Sequence, residues 1–358
     1  MLRRSFVRSP VRIDIAGGTL DIWPIFLQIR GAKTINISAN IFTHAECIIE
    51  PSPKAPTIFL ESVDLKKTAS IPLTDFSGFD PPPELVLHKK ILDYYLSIGK
   101  FNQQSITIKT KSESPSGAGL GGSSSLGISI ASGLEALIDP QIKSFSDKLK
   151  WKIIQLVRDI ECSVLKGPAG MQDYFGAAFG GLQTIYWNPV QPIRIRHKES
   201  ENSLSERMFI FYSGISRNSG INNWEVFKSF LDGDATIQKL FNGISKATEQ
   251  LEYAIRENDS TKIASAITAE WGSRKNLSKN ISTPEIDAAF DFGTKLGADA
   301  YKICGAGGGG CFFFYFKNPD KTNISKLIEG LESLGMKYLP QSCVPEGTQI
   351  LDQREKNL

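Results

Sequence analysis

Histidine is scarce in this chain of 358 residues: His44, His88 and His197 are the only three, and none lies beside another or within a motif. Chemistry that runs through imidazole, as a base or a metal ligand, is poorly supplied, and each histidine reads as a surface or structural residue. The five cysteines (Cys47, Cys162, Cys304, Cys311 and Cys343) are odd in number and contain no CxxC pair. That suits neither a disulfide framework nor a zinc cluster, so a reduced, cytoplasmic compartment is expected. No run of eighteen apolar residues is available to cross a bilayer, and MLRRSFVRSP lacks the apolar stretch that follows the charges of a signal peptide. Charge of one sign is missing as well. With 41 basic and 38 acidic side chains the formal net charge is +3, which gives no reason to expect a nucleic-acid partner. What is present is 41% hydrophobic residues, enough for real cores, over a length that suits two domains.

Apolar density and alternation predict strands over 5–15 and 33–49. LVLHKKILDYYLSIG is spaced as a helix that stops at Gly99, and SITIKTK (105–111) alternates as a strand. A glycine-rich loop and an apolar helix from about Ser123 follow directly. The longest helical pattern of the first half covers 145–167, and a strand-like pair follows at 177–187 and 192–198. Beyond about 200 come a strand at MFIFYSG and helices near 220–231, 235–257, 260–278 and 284–297. A strand–GAGGGG–strand unit (300–316), a helix over 320–334 and a closing pair of short strands complete the chain. The domain boundary is placed near 195, giving units 1–195 and 196–358.

Pro115-Ser-Gly117-Ala118-Gly119-Leu120-Gly121-Gly122-Ser123-Ser124-Ser125 lines up backbone N–H groups with few side chains, immediately before a helix whose N-terminal dipole favours anions. A di- or triphosphate is the natural guest, with Ser123 placed to hold a bridging magnesium ion. GxxxxGK[ST] never occurs, so this is not a Walker A loop. Gly117, Gly119 and Gly122 satisfy GxGxxG, but Gly305, Gly307 and Gly310 satisfy it again. The acidic partner a dinucleotide fold wants about 20 residues on is represented only by Glu135 and Asp139, at the end of a helix.

This block resembles the central ATP-binding motif of the GHMP kinases (galactokinase, homoserine kinase, mevalonate kinase, phosphomevalonate kinase), and three further blocks agree in order. SPVRIDIAGGTLDIWP resembles the family's first motif. By that resemblance Arg12 stabilises charge on the transferring group, while Asp21, beside Gly17 and Gly18, holds the acceptor. Glu161 would share magnesium with Ser123, and Asp173, in GPAGMQDYFGAAFGG with Gly170, would take the proton of the acceptor hydroxyl. Lys302 to Cys311, with Gly307 and Gly308, resembles the third motif, a glycine loop packed on the phosphate loop.

The resemblance implies a two-domain α+β fold: an N-terminal mixed-sheet, ATP-binding domain with helices and a C-terminal ferredoxin-like α+β domain. It also implies an ATP- and magnesium-dependent kinase of a small molecule, acting as monomer or homodimer. AGGTLD, QDYFGAAFGG and FYSGISRNSG resemble the sugar-kinase branch that holds heptose 7-phosphate kinase and the fucokinase domain, so a sugar or sugar-phosphate acceptor is expected. Arg217, between Ser216 and Ser219, is a candidate for a phosphate already on that acceptor. The alternatives are a mevalonate-type kinase and a non-catalytic binder of ATP and sugar.

Overall fold

The computed structural model describes residues 2–101, 103–216 and 219–352, with backbone only for 219–223. Two sheets organise it. The first has eight strands: β1 (Arg3–Ala16), β2 (Lys33–Pro51), β3 (Thr57–Ser62), β4 (Lys67–Pro72), β5 (Gln104–Ser112), β6 (Leu182–Tyr186), β7 (Ile193–Arg196) and β12 (Gln349–Ile350). Their path is β12-β1-β2-β5-β3-β4, with β6 on β2 and β7 on β6. All pairings are antiparallel except β3 with β5. The second sheet is antiparallel, β11 (Lys337–Leu339), β8 (Met208–Tyr212), β10 (Cys311–Tyr315) and β9 (Ala300–Ile303), in that spatial order.

Helix α1 (Ile25–Gln28) is a single turn. α2 (Val86–Ser97), α3 (Gly122–Ile138), α4 (Asp147–Leu165) and α5 (Gln172–Phe179) cover the first sheet. α6 (Glu201–Ser205) and α7 (Ser219–Leu231) lead into α8 (Ala235–Arg256), α9 (Ser260–Arg274), α10 (Pro284–Lys295) and α11 (Lys321–Ser333). No helix among the described residues is long and apolar enough to cross a membrane, and no disulfide joins any of the five cysteines.

Strand β2 shows how sequence sets position. Its second half alternates buried and half-buried residues, as a strand with one covered face should. Its first half, Lys33–Ala39, is buried throughout, because α5 and α8 both pack against β2. In β10 the run Cys311–Tyr315 is wholly buried: Phe312 and Phe314 enter one core, Phe313 and Tyr315 the other.

α3 lies close on β1 and β2 because its inner face is built of small residues. The Ser5 hydroxyl donates to Gly133 O at 2.8 Å, and a Cβ on Gly133 would sit 2.8 Å from Cys47 Sγ. That packing fixes the helix start, and with it the glycine loop.

Three readings of the sequence are corrected. The hairpin β3–β4 was not expected; β4, KTASIP, buries only Ile71 and so offers almost no alternation to read. Residues 177–179 are not strand but the end of α5, which buries Tyr174, Phe175, Ala177 and Ala178 and stops at Gly180 and Gly181, both at positive φ. The last two short strands do not pair with each other: β11 joins β8, and β12 returns to β1. The histidines are structural or superficial as expected. His88 is buried against the Thr110 hydroxyl at 2.7 Å, and burial lowers its pKa to about 4.

Candidate active site

A cavity of about 820 Å³ is lined by parts of both halves of the chain, among them Arg12, Asp21, Gly117, Ser123, Glu161 and Asp173. Gly305 and Ala306 of the second glycine loop border it as well. α3 starts here at Gly121, in left-handed conformation (φ 73) with no side-chain cap. Its first-turn N–H groups therefore have no intrahelical partner and stand at an open wall. That arrangement fits a phosphate.

The loop is held from two sides. Arg12 N donates to Leu120 O at 3.0 Å, and the Arg12 guanidinium donates to Gly119 O at 2.7 Å. From the second domain, Cys311 N donates to Ala118 O at 2.7 Å.

Arg12 also reaches Asp173, whose Oδ1 accepts from Nε at 2.8 Å and from Nη2 at 2.6 Å. Burial opposes the arginine's charge, but Asp173 and Asp14 outweigh it and hold the guanidinium above its ordinary pKa. Asp173 lies in the first turn of α5. Its Oδ2 accepts no hydrogen bond from a described side chain, and the group keeps a quarter of its surface. Gly121 is a glycine for a reason visible here: a Cβ would lie 3.0 Å from the Asp173 Cβ.

Glu161, near the end of α4, is buried. Its Oε2 accepts from Ser124 at 2.7 Å and Tyr174 at 2.5 Å. Burial pushes its carboxyl upward, and hydrogen bonds from Tyr174, Ser123 and Ser124 oppose this. A cation between Ser123 and Glu161 would relieve the desolvated charge, so these residues fit magnesium.

Asp21 accepts Gln172 N at 3.0 Å and lies so close over Gly170 that any Cβ there would collide with the carboxylate. Burial, with Asp173 and Asp14 nearby, raises its pKa to about 6.

Leu120 and Ser125, expected on the loop's ligand side, are turned away. Leu120 is core, and the Ser125 hydroxyl donates to Ser9 O and Pro10 O at 3.1 and 3.0 Å, riveting α3 to β1. Gly17, Gly307 and Gly308 do not border the cavity; Gly17 N donates to Glu270 at 3.3 Å and Gly308 N to Ile281 O at 2.8 Å. Pro115, Ala118, Gly119, Gly122, Gly18 and Ser216 do border it. Arg217 lies outside the described residues.

Sequence reasoning missed a buried charge network behind Gly17–Thr19. Lys302 Nζ meets Asp14 Oδ2 at 3.2 Å, Glu270 Oε1 at 3.1 Å and Ile15 O at 3.1 Å. Arg274 donates to Glu270 at 2.6 Å and to Gly18 O at 2.8 Å. Burial alone would raise the Asp14 carboxyl, but Lys302, Arg274 and Arg12 win and lower it. Asp14 Oδ1 and Gln172 Oε1 are buried with no hydrogen-bond partner in the described residues, and both residues border the cavity. Asp14 had a signal, since it sits two residues from Arg12 on one strand face. Gln172, Glu270 and Arg274 had none.

Known proteins share this fold. The profile of the GHMP kinases N terminal domain matches residues 87–181, and that of the GHMP kinases C terminal domain matches 251–336, together about half the chain. The D-glycero-alpha-D-manno-heptose 7-phosphate kinase of Campylobacter jejuni is 26% identical over 90% of this chain and 92% of its own. A mevalonate kinase of Archaeoglobus fulgidus is 28% identical over 62% of this chain and 69% of its own. The crystal structure of a putative sugar kinase from Campylobacter jejuni superposes with a TM-score of 0.74 at 23% identity, covering 97% of this chain and 98% of that one. The two sheets, the uncapped helix over the cavity and these matches agree: the chain belongs to the GHMP kinases and is a phosphotransferase with a hydroxyl acceptor.

Proposed function

We propose that this enzyme transfers the γ-phosphoryl group of ATP to a hydroxyl of a sugar or sugar phosphate. The observation that carries the acceptor class is the acceptor-rich end of the cavity. Asp21, with the unpartnered Asp14 Oδ1 and Gln172 Oε1, offers hydrogen-bond acceptors, which suit vicinal hydroxyls. The nearby cations are already committed: Arg12 to Asp173, Arg274 and Lys302 to Glu270 and Asp14. A mevalonate-type carboxylate would find no spare positive charge among these groups. The relative that acts on a heptose phosphate also matches more of the chain than the mevalonate kinase does.

In this reading the N–H groups of Gly121–Ser124 would bind the phosphates of ATP, and Ser123 with Glu161 would hold magnesium, which would supply charge neutralisation. Asp173 Oδ2 accepts the proton of the acceptor hydroxyl as its oxygen bonds to the γ-phosphorus and the bond to the ADP oxygen breaks. Arg12 keeps Asp173 in place through Oδ1. The Arg12 reading is thereby narrowed: its donors serve Asp173 and the phosphate loop.

The test is an ADP-release screen with magnesium-ATP against hexoses, 6- and 7-phosphorylated sugars and mevalonate. Turnover is expected on a sugar, and Asp173→Asn should lower it roughly 10²- to 10⁴-fold while ATP binding persists. Turnover on mevalonate alone, or equal loss of ATP affinity and turnover in the variant, would count against the assignment. Tight ATP binding with no turnover on any acceptor would favour a non-catalytic binder.

A further inference from the structure

A second cavity, of about 410 Å³, adjoins the first at Asp21, Pro168 and Ala169, residues that border both. Its wall carries Trp23, Trp151, Gln155, Arg158 and Asp159. Trp23 follows Asp21 by two residues and is 66% exposed, an unusual place for the largest apolar side chain unless something covers it. Trp151 is half-buried and packs on Phe175 at 6.0 Å. The charge in this wall is balanced internally: Asp159 Oδ1 accepts Arg158 Nε at 2.8 Å and Nη2 at 2.6 Å, and Nη1 donates to the Met171 thioether at 3.3 Å. Gln155 is exposed at the rim.

A flat indole, an amide and a neutralised ion pair make poor provision for an anion. They match a polyhydroxylated group, whose C–H face covers an aromatic ring while its hydroxyls bond to amide and carboxylate. Since Asp21 belongs to both cavities, a ligand held by that carboxylate in the first extends naturally into the second. We propose that the second cavity binds the non-reacting end of the acceptor, a polyol extension beyond the ring, against Trp23. This rests on the sugar-kinase reading and makes Trp23 a specificity-determining residue that touches no reacting atom.

The experiment measures binding by calorimetry for three probes: D-mannose, D-glycero-D-manno-heptose and its 7-phosphate. The wild-type protein should bind D-glycero-D-manno-heptose about tenfold more tightly than mannose, with the 7-phosphate gaining nothing beyond the neutral heptose. Trp23→Ala should erase that preference without changing ATP affinity, and Trp23→Phe, which keeps a flat face, should restore it. A preference within twofold of wild type in Trp23→Ala would overturn the proposal, as would saturable binding of none of the probes. So would a preference confined to the phosphorylated heptose and abolished by Arg158→Met instead, which would mark an anion site. Because the readout is binding, heptose preference without ADP release would sink the kinase reading and leave the subsite standing.

Discussion

The two glycine-rich loops satisfy the same GxGxxG spacing and do opposite things. Gly117–Gly122 runs from strand to helix and leaves an uncapped helix start on the cavity. Gly305–Gly310 runs from strand to strand and is mostly spent on protein. A Cβ on Gly310, at φ 75, would meet Ala118 O at 2.7 Å and Gly117 O at 2.8 Å. In the first loop glycine lets the helix start come close to the Asp173 side chain; in the second it lets one domain's backbone touch the other's. The same six-residue pattern thus reports close approach, but not to what.

The comparison breaks most severely at the foot of the second loop. Lys302→Met would leave the wholly buried Asp14 carboxylate without its ion-pair partner and should cost about 3–5 kcal/mol, read as a fall in the denaturant midpoint. If stability held, the network would be incidental to domain docking. Gly310→Ala should cost about 2–4 kcal/mol, from the left-handed backbone and the clash with Ala118 O. It should also weaken ATP binding, because the phosphate loop is the surface struck. Loss of stability with unchanged nucleotide affinity would mean the loops are mechanically independent.

Asp21 supplies a smaller, pH-dependent effect. With its pKa raised to about 6 by burial, it is roughly one-tenth ionised at pH 5 and nine-tenths at pH 7. The KM for the acceptor should therefore fall roughly tenfold between those values, with ATP unaffected. The stability effect has the opposite sense. A carboxyl held above its unfolded value favours the fold below about pH 4, and that contribution is lost as pH rises through 6. Asp21→Asn should then be the more stable protein at pH 7 while binding the acceptor poorly. A flat KM profile would remove Asp21 from the acceptor site.

The smallest effects separate neighbouring serines. Ser125→Ala, which removes a rivet to β1, should cost about 1 kcal/mol of stability with magnesium dependence unchanged. Ser123→Ala should do the reverse, raising the magnesium concentration needed for turnover at constant stability.

Much of this site was legible in the sequence because its parts are local. The glycine loop at 115–125 is contiguous, its helix follows directly, and Glu161 sits on a strongly periodic helix. Asp173 was found, but its helix was hidden by Gly176 and the Gly180-Gly181 pair, which lower helix propensity without preventing a turn and a half of buried aromatic packing. Glu270 and Arg274 were beyond reach because they meet Gly17 and Gly18 across more than 250 residues of chain, and periodicity carries no long-range pairing. Ser125 was misplaced for the converse reason: in the one-dimensional pattern it is identical to Ser123, and only the helical turn of about 100° per residue puts it against β1.

The return of β12 to the first sheet sets an order of assembly. Val7 and Arg8 pair with Ile350 and Gln349, and Gly347 lies against the backbone at Ala178, at the end of the helix that carries Asp173. The first sheet is begun at Arg3 and closed by Gln349–Ile350, so β1 keeps an open edge until that distant segment docks. Until then that edge is a template for pairing with other chains. The helix that carries Asp173 thus acquires its final support only when the segment at Gly347 is in place, and a chain ending before residue 347 would keep the glycine loop at 115–125 while leaving the Asp173 side of the cavity unsupported.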